Sequence, residues 1–136
     1  RIGYAMANEK LIKYLNDVKY SFNSYTMNTT AIALGVPAVK DREYFEKTVR
    51  KVITTRERVK KELKELGFVF EDSMSNFLFV THKELSMEKL FMDLRKEGII
   101  VRHFDKPERI REYLRITIGT DEEMDTLLAF LRNYIK

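Results

Sequence analysis

The chain has 136 residues, 44% of them hydrophobic and 34% charged, which is one ordinary domain's length with enough apolar side chain to bury a core. Nine Phe and seven Tyr among interspersed charges argue against a disordered or fibrous chain, and the absence of cysteine excludes disulfide scaffolds, thiolate metal sites and cysteine nucleophiles. The formal net charge of +4 invites an anionic partner such as nucleic acid, but most lysines stand beside acids, as in Arg58-Val-Lys-Lys-Glu-Leu-Lys-Glu65, the pattern of a solvated helix face.

The opening residues, Arg1-Ile-Gly-Tyr-Ala-Met-Ala-Asn8, lack the basic-then-apolar layout of a secretory signal and do not begin with Met, so the chain reads as a piece of something longer. Asn8 is placed to cap a short helix bearing Leu11, Ile12, Leu15 and Val18 at helical spacing and running to about Lys19. The polar and aromatic stretch Tyr20–Met27 reads as a loop. Asn28 or Thr29 then opens an almost wholly apolar helix through Val39, which its composition predicts to be buried on all sides, with Pro37 bending or ending it. The uncharged run 31–39 is far short of the roughly 20 residues a membrane-spanning helix needs.

Asp41 is placed to cap a long helix carrying Phe45, Val49, Val52, Val59, Leu63 and Leu66, stopped by Gly67. The period then changes toward 2. Phe68–Phe70 and Asn76–Val80 are predicted strands joined hairpin-fashion through polar residues 71–75. Ser86 caps a helix with Met87, Leu90, Phe91 and Leu94 that ends at Gly98, and Ile99–Arg102 is a predicted short strand. Tyr113–Ile118 is the clearest strand: its alternation puts Leu114, Ile116 and Ile118 on one face and Tyr113, Arg115 and Thr117 on the other. Thr120 and Glu123 form a capping box for a closing helix striped by Met124, Leu127, Leu128, Leu131 and Ile135. From Tyr44 onward the order helix, strand, strand, helix, strand, strand, helix predicts an α+β fold, a largely antiparallel sheet with helices packed on one face. Residues 1–40 stand outside that unit, as the edge of a neighbouring domain and a helical connector into residues 41–136.

Three arginines stand out by position: Arg1 ahead of Ile-Gly-Tyr, Arg102 closing a strand, and Arg115 as the one charge within a strand-forming run. A guanidinium presents paired planar donors and stays charged, so arginines projecting from a sheet can clamp an anion; the plainer reading is an exposed side chain whose stem covers apolar surface. His82 lies in a polar turn, and His103 follows Arg102, where a general-base role is the weaker reading. The chain has no phosphate-binding glycine loop, no His-Glu-x-x-His and no serine elbow, and two histidines alone make a poor zinc site; no metal site is expected. Two rival readings remain at this level: a non-catalytic α+β ligand-binding or regulatory module, and a nucleic-acid binder, the latter without any stripe of interleaved aromatic and basic residues.

Taken together and in order, Arg1-Ile-Gly-Tyr-Ala, Ser24-Tyr-Thr-Met-Asn28, Ser75-Asn-Phe-Leu-Phe-Val80, Ile99-Ile-Val-Arg102 and Tyr113-Leu-Arg-Ile-Thr-Ile-Gly-Thr120 resemble the C-terminal part of the histidinol-phosphate aminotransferases, within the fold-type I enzymes that use pyridoxal phosphate. The resemblance covers essentially the whole chain. It implies that residues 41–136 are the small C-terminal domain, that Arg1 contacts the cofactor phosphate, and that Arg115 and Arg102 bind the anionic end of a phosphorylated amino-alcohol or amino-acid substrate. Tyr25 and Asn28 match a family loop near the domain and subunit boundary. The Schiff-base lysine of the family lies upstream of the matching residues, so no catalytic residue is assigned here. A chain of these residues alone is then expected neither to bind pyridoxal 5'-phosphate tightly nor to transfer an amino group. The remaining large domain and a second copy in a homodimer are the implied partners, in the cytoplasm, with no nucleic acid and no membrane.

Overall fold

Local sequence signals set most element boundaries in the computed structural model, which describes residues 2–135. Helix α1 (Glu9–Phe22) is capped by Asn8, whose side chain accepts from the Lys10 amide, and runs three residues past the expected end. Helix α2 (Thr29–Lys40) is capped by Asn28, which accepts from the Ala31 amide at 2.7 Å. It continues through Pro37 for three residues: so near the end a missing N–H forfeits little, and the Pro37 carbonyl still accepts from the Asp41 amide. The expectation that α2 is buried on all sides is not met. None of its residues is buried, and Leu34 and Val39 are 65% and 85% exposed; α1, in the same unit, has no buried residue either.

Helix α3 (Arg42–Glu65) begins with Asp41 accepting from the Tyr44 amide and spans 24 residues, about 36 Å. The chain divides between Glu46 and Lys47 into two compact units, so most of α3 belongs to the second. There it is followed by β1 (Phe68–Val69), β2 (Phe77–His82), α4 (Met87–Lys96), β3 (Arg102–His103), a turn of 3-10 helix (Glu108–Ile110), β4 (Leu114–Thr117) and α5 (Asp121–Tyr134). Gly67 takes φ +85° after α3, and Gly98 takes φ +76° after α4, the left-handed conformation that ends a helix at low steric cost. The capping box is present in both directions: Glu123 N–H donates to Thr120 Oγ1, and the Thr120 amide donates to the Glu123 carboxylate.

The sheet order is β1-β2-β4-β3, every pair antiparallel. One predicted strand shrinks: within Ile99–Arg102 only Arg102 pairs, and it continues to His103. Parity decides the rest. Leu78, Val80, Leu114 and Ile116 face the helices and are buried at 2% exposure or less, packed with Val59 and Leu63 of α3, Met87, Leu90 and Leu94 of α4, and Met124, Leu127, Leu128 and Leu131 of α5. The second unit is therefore a two-layer α+β fold, with its helices on one side of an antiparallel sheet and its core between them.

Candidate functional site

The opposite face of this sheet carries the candidate site. Because successive strand residues alternate faces, it presents Phe77 and Phe79 from β2, and Arg115 and Thr117 from β4, with Tyr113 just before. The register sets Arg115 between two neighbours, opposite Phe79 on one side and opposite Arg102 of β3 on the other. Two arginines directly across from each other repel, a pairing that costs a sheet stability unless something between them is negative.

Neither guanidinium meets a carboxylate within salt-bridge distance among the described residues. Arg115 Nε is buried and lacks a hydrogen-bond partner, a rare state for a charged donor. What surrounds the pair instead is aromatic. The Arg115 guanidinium carbon lies 5.4 Å from the Phe77 ring centre and 5.9 Å from that of Phe104, and that of Arg102 lies 5.1 Å from Phe104, all within cation–π range. Phe79 stacks on Tyr113 at 4.7 Å and meets Phe104 edge-on at 6.2 Å. A cavity of about 410 Å³ borders Arg102, Arg115 and Thr117, and a second, of about 430 Å³, runs past Phe77, Phe79 and Tyr113 toward Asp72 and Arg109. The arrangement is an aromatic floor carrying two positive charges with no carboxylate partner among the described residues, suited to an anion with several oxygens.

The loop beneath Phe77 is pinned from the helix layer. Buried Arg56 donates to the Ser75 carbonyl at 3.0 Å, Lys60 pairs with Asp72 and Glu57, and the Ser73 and Ser75 hydroxyls donate to the Phe77 carbonyl. The Lys60 ammonium holds the Asp72 carboxyl below its ordinary pKa, chiefly through their hydrogen bond, and Asp72 in turn raises Lys60. Other shifted groups sit along α3, α4 and α5. Asp121 is lowered by hydrogen bonds from Thr55 and then Arg58, Asp93 by Lys96 and then Tyr134, and the Tyr134 phenol is raised by burial and then by Asp93.

Of the residues singled out from sequence, Arg102 and Arg115 come together on one face. Arg1 lies outside the described residues. His103 turns to the helix side: it sits across from Leu114, stacks on Phe91, contacts Asp105, and its Nε2 is 2.7 Å from the Arg111 carbonyl. Its ring nitrogens are engaged by Asp105 and the Arg111 carbonyl, although His103 and Phe91 also line the cavity that borders Arg102 and Arg115 at this sheet edge. His82 is half-buried, its Nε2 near the Leu66 carbonyl and its Nδ1 accepting from the Glu84 amide. Asn28 caps α2 and Tyr25 is exposed; both belong to the first unit. No lysine occupies a strand position on the arginine face. Sequence reasoning missed Phe77, Phe79 and Phe104 as parts of the site; the shared parity of Phe77 and Phe79 on β2 was the available signal, while Phe104 follows β3 and had none.

The model of aminotransferase class I and II matches residues 1–131. Among curated proteins, the histidinol-phosphate aminotransferase of Brachyspira hyodysenteriae is 52% identical over 136 residues, covering 100% of this chain and 38% of that protein. That of Lactococcus lactis subsp. cremoris is 47% identical over the same span, again 38% of its length. The chain thus spans 38% of the curated relatives it matches. Among solved structures, the histidinol-phosphate aminotransferase from Clostridium acetobutylicum aligns with TM-score 0.75 at 24% identity, covering 90% of this chain and 38% of that one. The enzyme from Sinorhizobium meliloti in complex with pyridoxal-5'-phosphate aligns with TM-score 0.74 at 23% identity, covering 88% and 33%.

Proposed function

Because the chain belongs to the class I and II aminotransferase family, we propose that it is the substrate-orienting C-terminal part of a pyridoxal-phosphate-dependent histidinol-phosphate aminotransferase. Residues 41–136 are its small domain. Residues 1–40 are the edge of the large cofactor domain with the connecting helix. The parent enzyme exchanges an amino group between glutamate and the phosphorylated keto partner of histidinol phosphate, as a cytoplasmic homodimer.

The observation that carries this reading is the Arg102–Arg115 pair, set opposite each other across β3 and β4 with the Arg115 Nε buried and unpartnered. A phosphate monoester carries close to two negative charges near neutral pH and three acceptor oxygens. It therefore neutralises both guanidinium groups, where a single carboxylate leaves one positive charge over. Charge-assisted hydrogen bonds of about 1.5 to 3 kcal/mol each fix the substrate's far end, and with it the orientation of the reacting amine.

Pyridoxal phosphate, when bound, supplies the electron sink for transamination. In this chain the residue proposed to touch it is Arg1, at the cofactor phosphate. The family's Schiff-base lysine lies upstream of the residues matched here, so the 136 residues by themselves are expected to bind it weakly and to transfer no amino group. The test is Arg115→Ala in the complete enzyme: the KM for histidinol phosphate rises by about one to two orders of magnitude, following the loss of one charge-assisted bond of about 1.5 to 3 kcal/mol, while the fold is retained. An unchanged KM refutes the assignment.

A further inference from the structure

Two like charges held face to face across a sheet do not stay aimed at one point unaided. Arg102 is exposed and, like Arg115, has no carboxylate partner among the described residues, so repulsion favours splaying their tips into solvent. One ring opposes that. Phe104, two residues after Arg102, has both guanidinium groups over it, Arg102 at 5.1 Å and Arg115 at 5.9 Å. Its negative π face attracts each cation, which offsets part of their mutual repulsion. Phe104 is itself braced, edge-on against Phe79, which lies opposite Arg115 on β2 and stacks on Tyr113. Tyr113, Phe79 and Phe104 form a run of ring contacts whose last member touches both charges.

Resting on the reading of this pair as the clamp for a phosphorylated substrate, we propose that Phe104 is the positioning residue that sets the spacing and aim of Arg102 and Arg115, and thereby the clamp's affinity for a phosphate monoester. Phe104 itself offers the phosphate no donor. It acts through the arginines, by keeping two flexible cationic side chains preorganised and so lowering the entropy lost when the anion arrives. Its loss therefore weakens binding of the phosphorylated group and leaves the chemical step alone.

The test uses the complete enzyme, with KM and kcat for histidinol phosphate and the inhibition constant of inorganic phosphate as readouts. Phe104→Leu, which keeps bulk but removes the ring, raises both constants about five- to tenfold with kcat within about twofold. Phe104→Tyr, which keeps the ring, restores both to near the parent values. Pentafluorophenylalanine at position 104 keeps the shape but reverses the ring's quadrupole, and behaves like the Leu variant; being close to isosteric, it carries the test if Phe104→Leu fails to fold. If the Leu and pentafluoro variants both keep the parent constants while Arg115→Ala raises KM, the inference about Phe104 is overturned and the clamp stands. A kcat loss with KM unchanged also overturns it. If Arg115→Ala and Arg102→Ala leave KM untouched, the clamp itself is refuted and the inference with it.

Discussion

Replacing Arg115 by Met separates a residue kept for binding from one kept for folding. Met retains an unbranched stem to cover the aromatic floor but has no charge and no buried donor. In the folded chain Arg115 carries two penalties: a buried Nε without a partner, about 1 to 3 kcal/mol, and a like charge directly opposite at Arg102, about 0.2 to 1 kcal/mol. Against these stand its contacts with Phe77 and Phe104, about 0.5 to 1 kcal/mol each at a partly exposed site. At mid-range the penalties exceed the gains by about 1 kcal/mol, so Arg115→Met is expected to leave stability within about 1 kcal/mol of the parent or to raise it by about 1 to 2 kcal/mol. For the unit of residues 47–136, each kcal/mol is a Tm rise of about 4 to 8 °C. Urea and thermal unfolding of the chain, parent against variant, give the number. A loss of more than about 1.5 kcal/mol would falsify the argument, because it makes Arg115 a structural residue whose ring contacts outweigh its penalties.

The core makes a sharper demand. Leu78 is fully buried on a central strand, so Leu78→Ala costs about 3 kcal/mol in urea unfolding, and a cost under 1 kcal/mol contradicts the placement of β2 over the helices. Acid sensitivity follows from Asp72, Asp93 and Asp121, each lowered in the fold by a hydrogen-bonded partner, Lys60, Lys96 and Thr55 respectively. A carboxyl whose folded pKa is depressed stabilises fully above its unfolded value, near 4, and loses that contribution as pH falls through the folded value. The thermal midpoint is therefore expected to be flat above about pH 5 and to fall below about pH 4. The Asp72→Asn, Asp93→Asn, Asp121→Asn triple variant should show a shallower fall; identical slopes refute the link.

Much of this chain is determined locally, and those parts are legible without coordinates. Asn8, Asn28, Asp41, Ser86 and Thr120 each cap the helix that follows, because a side-chain oxygen satisfies an amide that the helix itself leaves open. The alternation in 113–118 places Arg115 opposite the core face, since the side-chain period of a strand admits no other outcome once Leu114 and Ile116 are buried. Three things depend on residues far apart in sequence. The pairing of Arg102 with Arg115 is a matter of register between β3 and β4, which no local pattern encodes. The stacking of His103 on Phe91 follows from the packing of α4, whereas its turn away from its neighbour Arg102 is the ordinary alternation of consecutive strand residues, legible only once β3 is known to be a strand there. Phe104 lies outside any strand, so periodicity says nothing of it; it reaches two guanidinium groups because the strands beside it bring them there, and electrostatics between cations and a ring acts across space, indifferent to chain order. For α2 the composition alone points to burial, yet in this chain the helix lies exposed: hydrophobicity measures a need for cover, and only a tertiary or quaternary neighbour can supply it.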